Sequence, residues 1–154
     1  MGFILTSCSP NPTPPETSEQ TNQSSQCDNP VDQQNRSDYT AIDLSTIVNN
    51  SVNLNRNEAD QIIVDDPKTT ILEEFGFSQM QESENQEIEV SCTDSNQVLV
   101  TLTKTGLLDD SVAGMRYRAE FTSHEQGWQL LWLGRQQKCY PGRGNTDWST
   151  ELCV

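Results

Sequence analysis

The sequence has few basic residues and a low apolar content. Nine Lys and Arg residues stand against 23 Asp and Glu, so the formal net charge is −14, and only 32% of the residues are hydrophobic. Proteins that bind nucleic acid neutralise phosphates with an excess of Lys and Arg, and anionic membrane surfaces attract basic segments. The charge therefore argues against nucleic acid as a partner and against electrostatic docking on an anionic membrane.

Long apolar runs are also missing, since no stretch reaches the ~20 apolar residues of a transmembrane helix. The deficit is concentrated in residues 9–37, where Cys27 and Val31 are the only apolar side chains other than proline and five of the seven prolines lie. Such a segment cannot bury enough apolar surface to offset its ordering entropy. The composition predicts a disordered tether over 9–37 and one folded domain over 38–154.

A short apolar run opens the chain and ends with the tetrapeptide Leu5-Thr6-Ser7-Cys8. This tetrapeptide resembles the lipobox of bacterial lipoproteins, in which an apolar residue and two small residues precede a cysteine. The resemblance implies that the Cys8 thiol receives a diacylglyceryl group and that the preceding peptide is cleaved. Because only seven residues precede Cys8, residues 1–8 are expected to be a shortened signal. We therefore expect an exported protein, lipid-anchored to the periplasmic or cell-surface side of a bacterial membrane.

The chain has five cysteines, an odd number for an exported protein. If Cys8 carries lipid, the others can form two disulfides in any of three connectivities. We favour Cys139 with Cys153, because this bond closes a compact Pro/Gly loop and is worth about 3 kcal/mol in the chain-entropy model. Cys27 with Cys92 would then join the tether to the sheet. Free cytosolic thiols are the alternative, which is weakened by the absence of a Cys-x-x-Cys motif or a Cys/His ligand set. We predict no metal site and no cofactor.

Helical signals come first in the folded part of the chain. Apolar spacing favours a short helix around 40–50. Asp66 can cap a second helix, Pro67 suits its first position, and Gly76 can end it. Between the two, a segment starting at Asn57 is interpreted as a further turn of helix.

Four strand candidates follow, with side chains that alternate with a period of two. They are the segments QEIEVSC, QVLVTLTK, GMRYRAEFT and GWQLLWLGRQ. In the last segment, Trp128, Leu130 and Trp132 are predicted to share one face, opposite Leu131 and Leu133. The pattern predicts an α+β fold, in which short N-terminal helices pack on a four-stranded antiparallel meander and a disulfide-stapled C-terminal tail follows.

The C-terminal tail is similar to the ending of uncharacterised secreted proteins of cyanobacteria. The resemblance implies export and the C-terminal disulfide, without a known activity. The residues that carry it are Trp132, Gly134, Gln136, Cys139, Gly142-Arg143-Gly144, Trp148 and Cys153, together with LLDDSV at 107–112.

Catalytic side chains are scarce. His124 is the only histidine, and it lies in a predicted hairpin turn without a nucleophile motif. Asp109 or Asp110 could act as a base with His124 in a small hydrolase or lyase with a cone-like α+β fold. A loop whose carboxylates cap its own backbone is favoured instead. We therefore predict no catalytic residue.

The C-terminal part of the chain differs from the rest in charge. Residues 114–154 carry five basic and four acidic groups, whereas residues 1–113 have a net charge of −15. Arginine beside aromatic side chains can bind an anionic group or stack on a sugar, unless the tryptophans are core and the arginines merely cover the sheet. We predict a non-catalytic binding or accessory module of the cell envelope, with an envelope protein or a glycan as partner. The predicted binding residues are Arg135, Tyr140, Arg143 and Trp148.

Overall fold

The computed structural model describes residues 29–30, 36–51, 54–94 and 96–154. Within these ranges seven strands form one sheet and two α-helices accompany it. The strands are β1 (Asn29–Pro30), β2 (Thr40–Ala41), β3 (Ile63–Val64), β4 (Asn85–Asp94), β5 (Gln97–Thr105), β6 (Val112–His124) and β7 (Gly127–Cys139). The helices are α1 (Leu44–Asn50) and α2 (Pro67–Phe75), and a 3-10 turn covers Arg36–Asp38.

The centre of the sheet is an antiparallel meander of β4, β5, β6 and β7. β1 pairs with β4 in parallel, whereas β2 and β3 both pair antiparallel with the far edge of β7. β1 and the 3-10 turn both begin within the segment 9–37 that was predicted to be a tether. At the other end of the chain, Ser149 exchanges two 2.9 Å backbone hydrogen bonds with Gln137 of β7. β3, β2 and Ser149 together cover an edge of β7 that would otherwise expose unpaired backbone groups.

The prediction of an α+β fold is wrong, because the described structure is mainly β. The helices have only seven and nine residues, whereas β6 and β7 have 13 residues each. The segment from Asn57 is also not helical. The Asn57 side chain accepts hydrogen bonds from the backbone N–H groups of Ala59 and Gln61, which holds a turn that competes with a helix. The chain leaves this turn as β3 and adds to the sheet.

The hydrophobic core lies on one face of the meander, which we call the inner face. Val100, Leu102 and Ala119 are fully buried there, and Phe121 and Leu133 are each 1% exposed. α2 packs on this face through Ile71 and through Phe75, whose ring stacks on that of Tyr117 at 4.6 Å between centroids.

Both ends of α2 follow the predicted capping pattern, so the prediction of this helix is confirmed. The Asp66 carboxylate accepts hydrogen bonds from the backbone N–H groups of Lys68 and Thr69. At the other end, the Nζ of Lys104 donates to the carbonyl of Phe75 at 2.9 Å. Burial lowers the pKa of Lys104, although the charge of Glu84 acts in the opposite direction. The cation at the helix C-terminus links α2 to β5.

The predicted face of Trp132 is wrong because β7 contains a bulge. Glu120 pairs with Trp132, but the next residue of β6, Phe121, pairs with Leu130. Leu131 is therefore an extra residue, 42% exposed, and the alternation of β7 inverts there. Leu130 faces the core, whereas Trp132 lies on the opposite face of the sheet.

The predicted bond between Cys139 and Cys153 is confirmed. It closes the C-terminal tail beside β7, where the Gln137 side chain donates to the carbonyl of Glu151 at 2.9 Å. Cys92 is also disulfide-bonded. Its predicted partner Cys27 and the predicted lipid site Cys8 lie outside the described residues, so both assignments stay predictions.

Candidate functional site

The face of the sheet that points away from the core carries most of the polar chemistry, and we call it the outer face. Strand pairing places four of its residues in one row across four neighbouring strands. The row consists of Glu87 on β4, Thr103 on β5, Arg116 on β6 and Gln136 on β7. It therefore runs from an exposed carboxylate, through a hydroxyl and a guanidinium, to a buried amide.

Two cations on this face surround one indole ring. The Cζ atom of Arg116 lies 4.3 Å from the ring centroid of Trp148, and the Nζ atom of Lys138 lies 5.1 Å from it. Arg116 also donates from Nε to the Thr103 hydroxyl at 3.3 Å. Cations at these distances are attracted to the ring quadrupole by about 0.5–1 kcal/mol at exposed sites. We call Arg116, Lys138 and Trp148 the basic–aromatic cluster.

Among the residues that the structure describes, the charges of Arg116 and Lys138 have no carboxylate partner. In the described part of the chain, no Asp or Glu oxygen lies within 4.0 Å of either group. Elsewhere on the outer face, Arg36 and Arg118 both contact Glu120, and the hydrogen bond to Glu120 raises the pKa of Arg36. The cluster thus contains two cations that an external anion could approach, in a chain whose net charge is −14.

The residues just before β2 cover the neighbouring part of the outer face. Tyr39 meets Trp132 edge to face at 6.1 Å between centroids, and the guanidinium of Arg36 lies 5.2 Å from the centroid of Trp132. The Gln136 side chain donates from Nε2 to the carbonyl of Asp38 at 2.8 Å. Gln136 is 4% exposed, and its Oε1 has no hydrogen-bond partner among the described residues.

The structure brings together only part of the predicted binding set. Trp148 belongs to the cluster, but the Tyr140 hydroxyl donates to the carbonyl of Leu107 and supports the loop before β6. Arg135 pairs with Tyr117 in the strand register and so lies on the opposite face from Gln136 and Lys138. Arg143 is exposed in the C-terminal tail, and its role in binding stays a prediction.

The sequence-based set omitted Arg116 and Lys138. Alternation in GMRYRAEFT does place Arg116 on the polar face of its strand, and the structure confirms this. Trp148 was in the predicted set, but the local pattern contained no signal that it contacts Arg116, because it reaches Arg116 through the pairing of Ser149 with Gln137.

The residues of the alternative hydrolase or lyase site lie far apart. The Asp109 carboxylate accepts hydrogen bonds from the backbone N–H groups of Ser111 and Val112, which lower its pKa and hold the loop before β6. His124 lies at the other end of this 13-residue strand. At about 3.3 Å per residue, the two ends of β6 are roughly 40 Å apart along the strand. The structure therefore does not bring His124 to Asp109 or Asp110.

The described residues carry neither a metal-binding cluster nor a membrane-spanning helix. They contain no group of three or more His, Cys, Asp or Glu side chains arranged to hold a metal ion. Their helices are also too short and too polar to cross a bilayer.

No known protein family, curated protein or solved structure matches this chain. Its function must therefore be inferred from the chemistry of the site. Guanidinium and ammonium groups held against an indole ring can bind an anionic group by charge-assisted hydrogen bonds.

Proposed function

We propose that the protein is an exported, lipid-anchored and non-catalytic module of a bacterial cell envelope. In this proposal the basic–aromatic cluster binds an anionic component of that envelope. The observation that supports it most directly is the pair of cations, Arg116 and Lys138, that lack carboxylate partners among the described residues although acidic side chains far outnumber basic ones.

The cluster is built on rigid parts of the domain. Arg116 and Lys138 project from the two longest strands, and the bond between Cys139 and Cys153 closes the tail that carries Trp148. A site held by strands and a disulfide loses little conformational entropy when a ligand binds. This rigidity favours the interpretation that the cluster binds a ligand over the interpretation that it is only a solvated part of the surface.

The anchoring part of the proposal is supported by the lipobox-like sequence that ends at Cys8. The bond between Cys139 and Cys153 is consistent with export, because disulfides persist in oxidising compartments. If flexible, the 20 residues 9–28 that precede β1 would have a mean span of roughly 25 Å at 5–6 Å × √n. That reach could hold the domain clear of the lipid headgroups.

The anchor is tested by the intact mass of the full-length protein from the membrane fraction of a bacterial host. We expect a mass increase that corresponds to a diacylglyceryl group and further acylation at Cys8. The Cys8→Ser variant should lack this increase and move to the soluble fraction. An unmodified wild-type protein that is already soluble would contradict the anchor and leave the binding site to be judged separately.

The binding site is tested by co-sedimentation of the protein with isolated cell-wall material. The double variant Arg116→Gln/Lys138→Gln should bind at least about tenfold more weakly, and added salt should weaken wild-type binding. Lys68→Gln is the matched control, because it removes an exposed cation of α2 outside the cluster. Wild-type binding by the double variant would show that the cluster is not the site.

A further inference from the structure

We infer that the basic–aromatic cluster recognises a carboxylate-bearing saccharide, an inference that rests on the proposed function. Glu87, Thr103 and Arg116 offer a different accessible group on each of three neighbouring strands, beside the buried Gln136. At about 4.8 Å between neighbouring strands, these three groups span roughly 10 Å. That length suits a short oligosaccharide better than a single small anion.

The order of groups along the row matches a ligand with a charge at one end and hydroxyls at the other. A carboxylate would lie against Arg116 and Lys138, where bonds between oppositely charged groups are strongest. Thr103 can both donate and accept hydrogen bonds, and the exposed Glu87 accepts them. Sugar hydroxyls satisfy both residues, whereas a second anionic group beside Glu87 would be repelled.

Gln136 provides an independent observation in the same row. Its Oε1 is buried without a hydrogen-bond partner in the described structure, although its Nε2 is held by the carbonyl of Asp38. A buried acceptor without a donor is rare in native structures and requires an explanation. A ligand hydroxyl would supply the missing donor if the side chains that cover Gln136 move aside when the ligand binds.

The net charge of the protein favours a sparsely charged saccharide over a polyanion as the ligand. A net charge of −14 repels densely charged polymers and anionic bilayers at long range. The two cations Arg116 and Lys138 can offset this repulsion when the ligand is a saccharide that has one carboxylate and is otherwise neutral. Glu89, which neighbours Glu87 on the outer face of β4, increases the local repulsion of any further negative charge.

The experiment measures the binding of four probes to the full chain by titration calorimetry. Sialyllactose carries one carboxylate on an otherwise neutral trisaccharide, galactotriose only hydroxyls, tricarballylate carboxylates with no hydroxyls, and phosphatidylglycerol vesicles an anionic lipid surface. We expect sialyllactose to bind at least tenfold more tightly than each of the other probes. Arg116→Gln, Lys138→Gln and Thr103→Val should each weaken sialyllactose binding, whereas Lys68→Gln should not. Using three separate variants keeps the test valid if one of them folds poorly.

The outcomes separate this inference from the proposed function. If tricarballylate or the vesicles bind as tightly as sialyllactose, the saccharide inference is overturned and an anion site remains. If no saccharide binds while cell-wall binding still depends on Arg116, the inference fails and the proposed function stands. If neither cell-wall material nor any probe is bound, both are overturned.

Discussion

The ring of Trp148 occupies the space that a side chain at position 114 would fill. A β-carbon added to Gly114 would lie 2.9 Å from Cη2 of Trp148 and 3.0 Å from Cε of Lys138. Gly114 also pairs with Lys138 in the strand register. The basic–aromatic cluster therefore depends on a residue without a side chain at this point of β6.

Gly114→Ala should displace Trp148 and weaken its contact with Lys138. The added carbon would also approach the carbonyl of Lys104 at 2.9 Å, so we expect the free energy of unfolding to fall by about 1–3 kcal/mol. Urea denaturation of the variant measures the loss. In a Trp148→Ala background the same change should cost less, because the clash with the indole ring is removed. Equal losses in the two backgrounds would show that Trp148 does not occupy this space.

Cys153→Ala should destabilise the tail that carries Trp148. The bond to Cys139 spans a sequence separation of 14, and closing a loop of that length is worth about 3 kcal/mol. We expect a loss of that size in the free energy of unfolding, together with changed fluorescence of Trp148. Cys139→Ala is the matched control and should give a similar loss. A loss below 1 kcal/mol for both variants would mean that the backbone pairing of Ser149 holds the tail without the disulfide.

Local sequence patterns correctly predicted those structural features that are formed by interactions between residues close together in the chain. The cap at Asp66 and the proline after it predicted α2, and alternation predicted the polar face of Arg116. The bulge at Leu131, in contrast, could not be predicted from local sequence patterns. The segment LLWLG has apolar residues in both alternation phases, so local sequence does not reveal which residue leaves the ladder. The bulge is determined by the pairing with Glu120 and Phe121 on β6.

The candidate site was less predictable than the sheet because its contacts are long-range. Arg36 reaches Glu120 across 84 positions, and Gln136 reaches the carbonyl of Asp38 across 98. The choice between core and surface for Trp132 depended on the bulge rather than on its neighbours in sequence. Aromatic and basic content indicated that a binding surface was plausible, but only the register of β6, β7 and the tail selected its members.

Arg143→Ala should leave folding nearly intact. The Arg143 side chain is exposed, and its hydrogen bonds to Tyr140 and Val154 use backbone atoms that alanine retains. We expect a change of less than about 0.5 kcal/mol in the free energy of unfolding, as is usual for surface substitutions. Cell-wall binding should fall less than in Arg116→Gln, because Arg143 is not in the cluster. A fall of ten degrees or more in Tm would show that Arg143 has a structural role.

Asp109 should make the stability of the domain depend on pH in the acid range. Backbone hydrogen bonds from Val112 and Ser111 lower the pKa of Asp109 below its ordinary value of 3.8. The folded state therefore favours the carboxylate, and the stability this provides is fully present well above pH 4 and lost as the pH falls through the folded pKa. Asp109→Asn should be less stable than the wild type at pH 7, and the difference should narrow below about pH 4.

Urea denaturation at pH 7 and at pH 3 measures the effect of Asp109→Asn. The matched control is Asp110→Asn, which removes a neighbouring charge whose carboxylate has no hydrogen bond among the described residues. Because the control removes the same charge without disturbing the loop, it should show little difference from the wild type at either pH. An equal effect of the two substitutions would mean that net charge, rather than the hydrogen bonds to Ser111 and Val112, sets the acid stability. A difference for Asp109→Asn that grows as the pH falls would contradict the direction of the pKa shift.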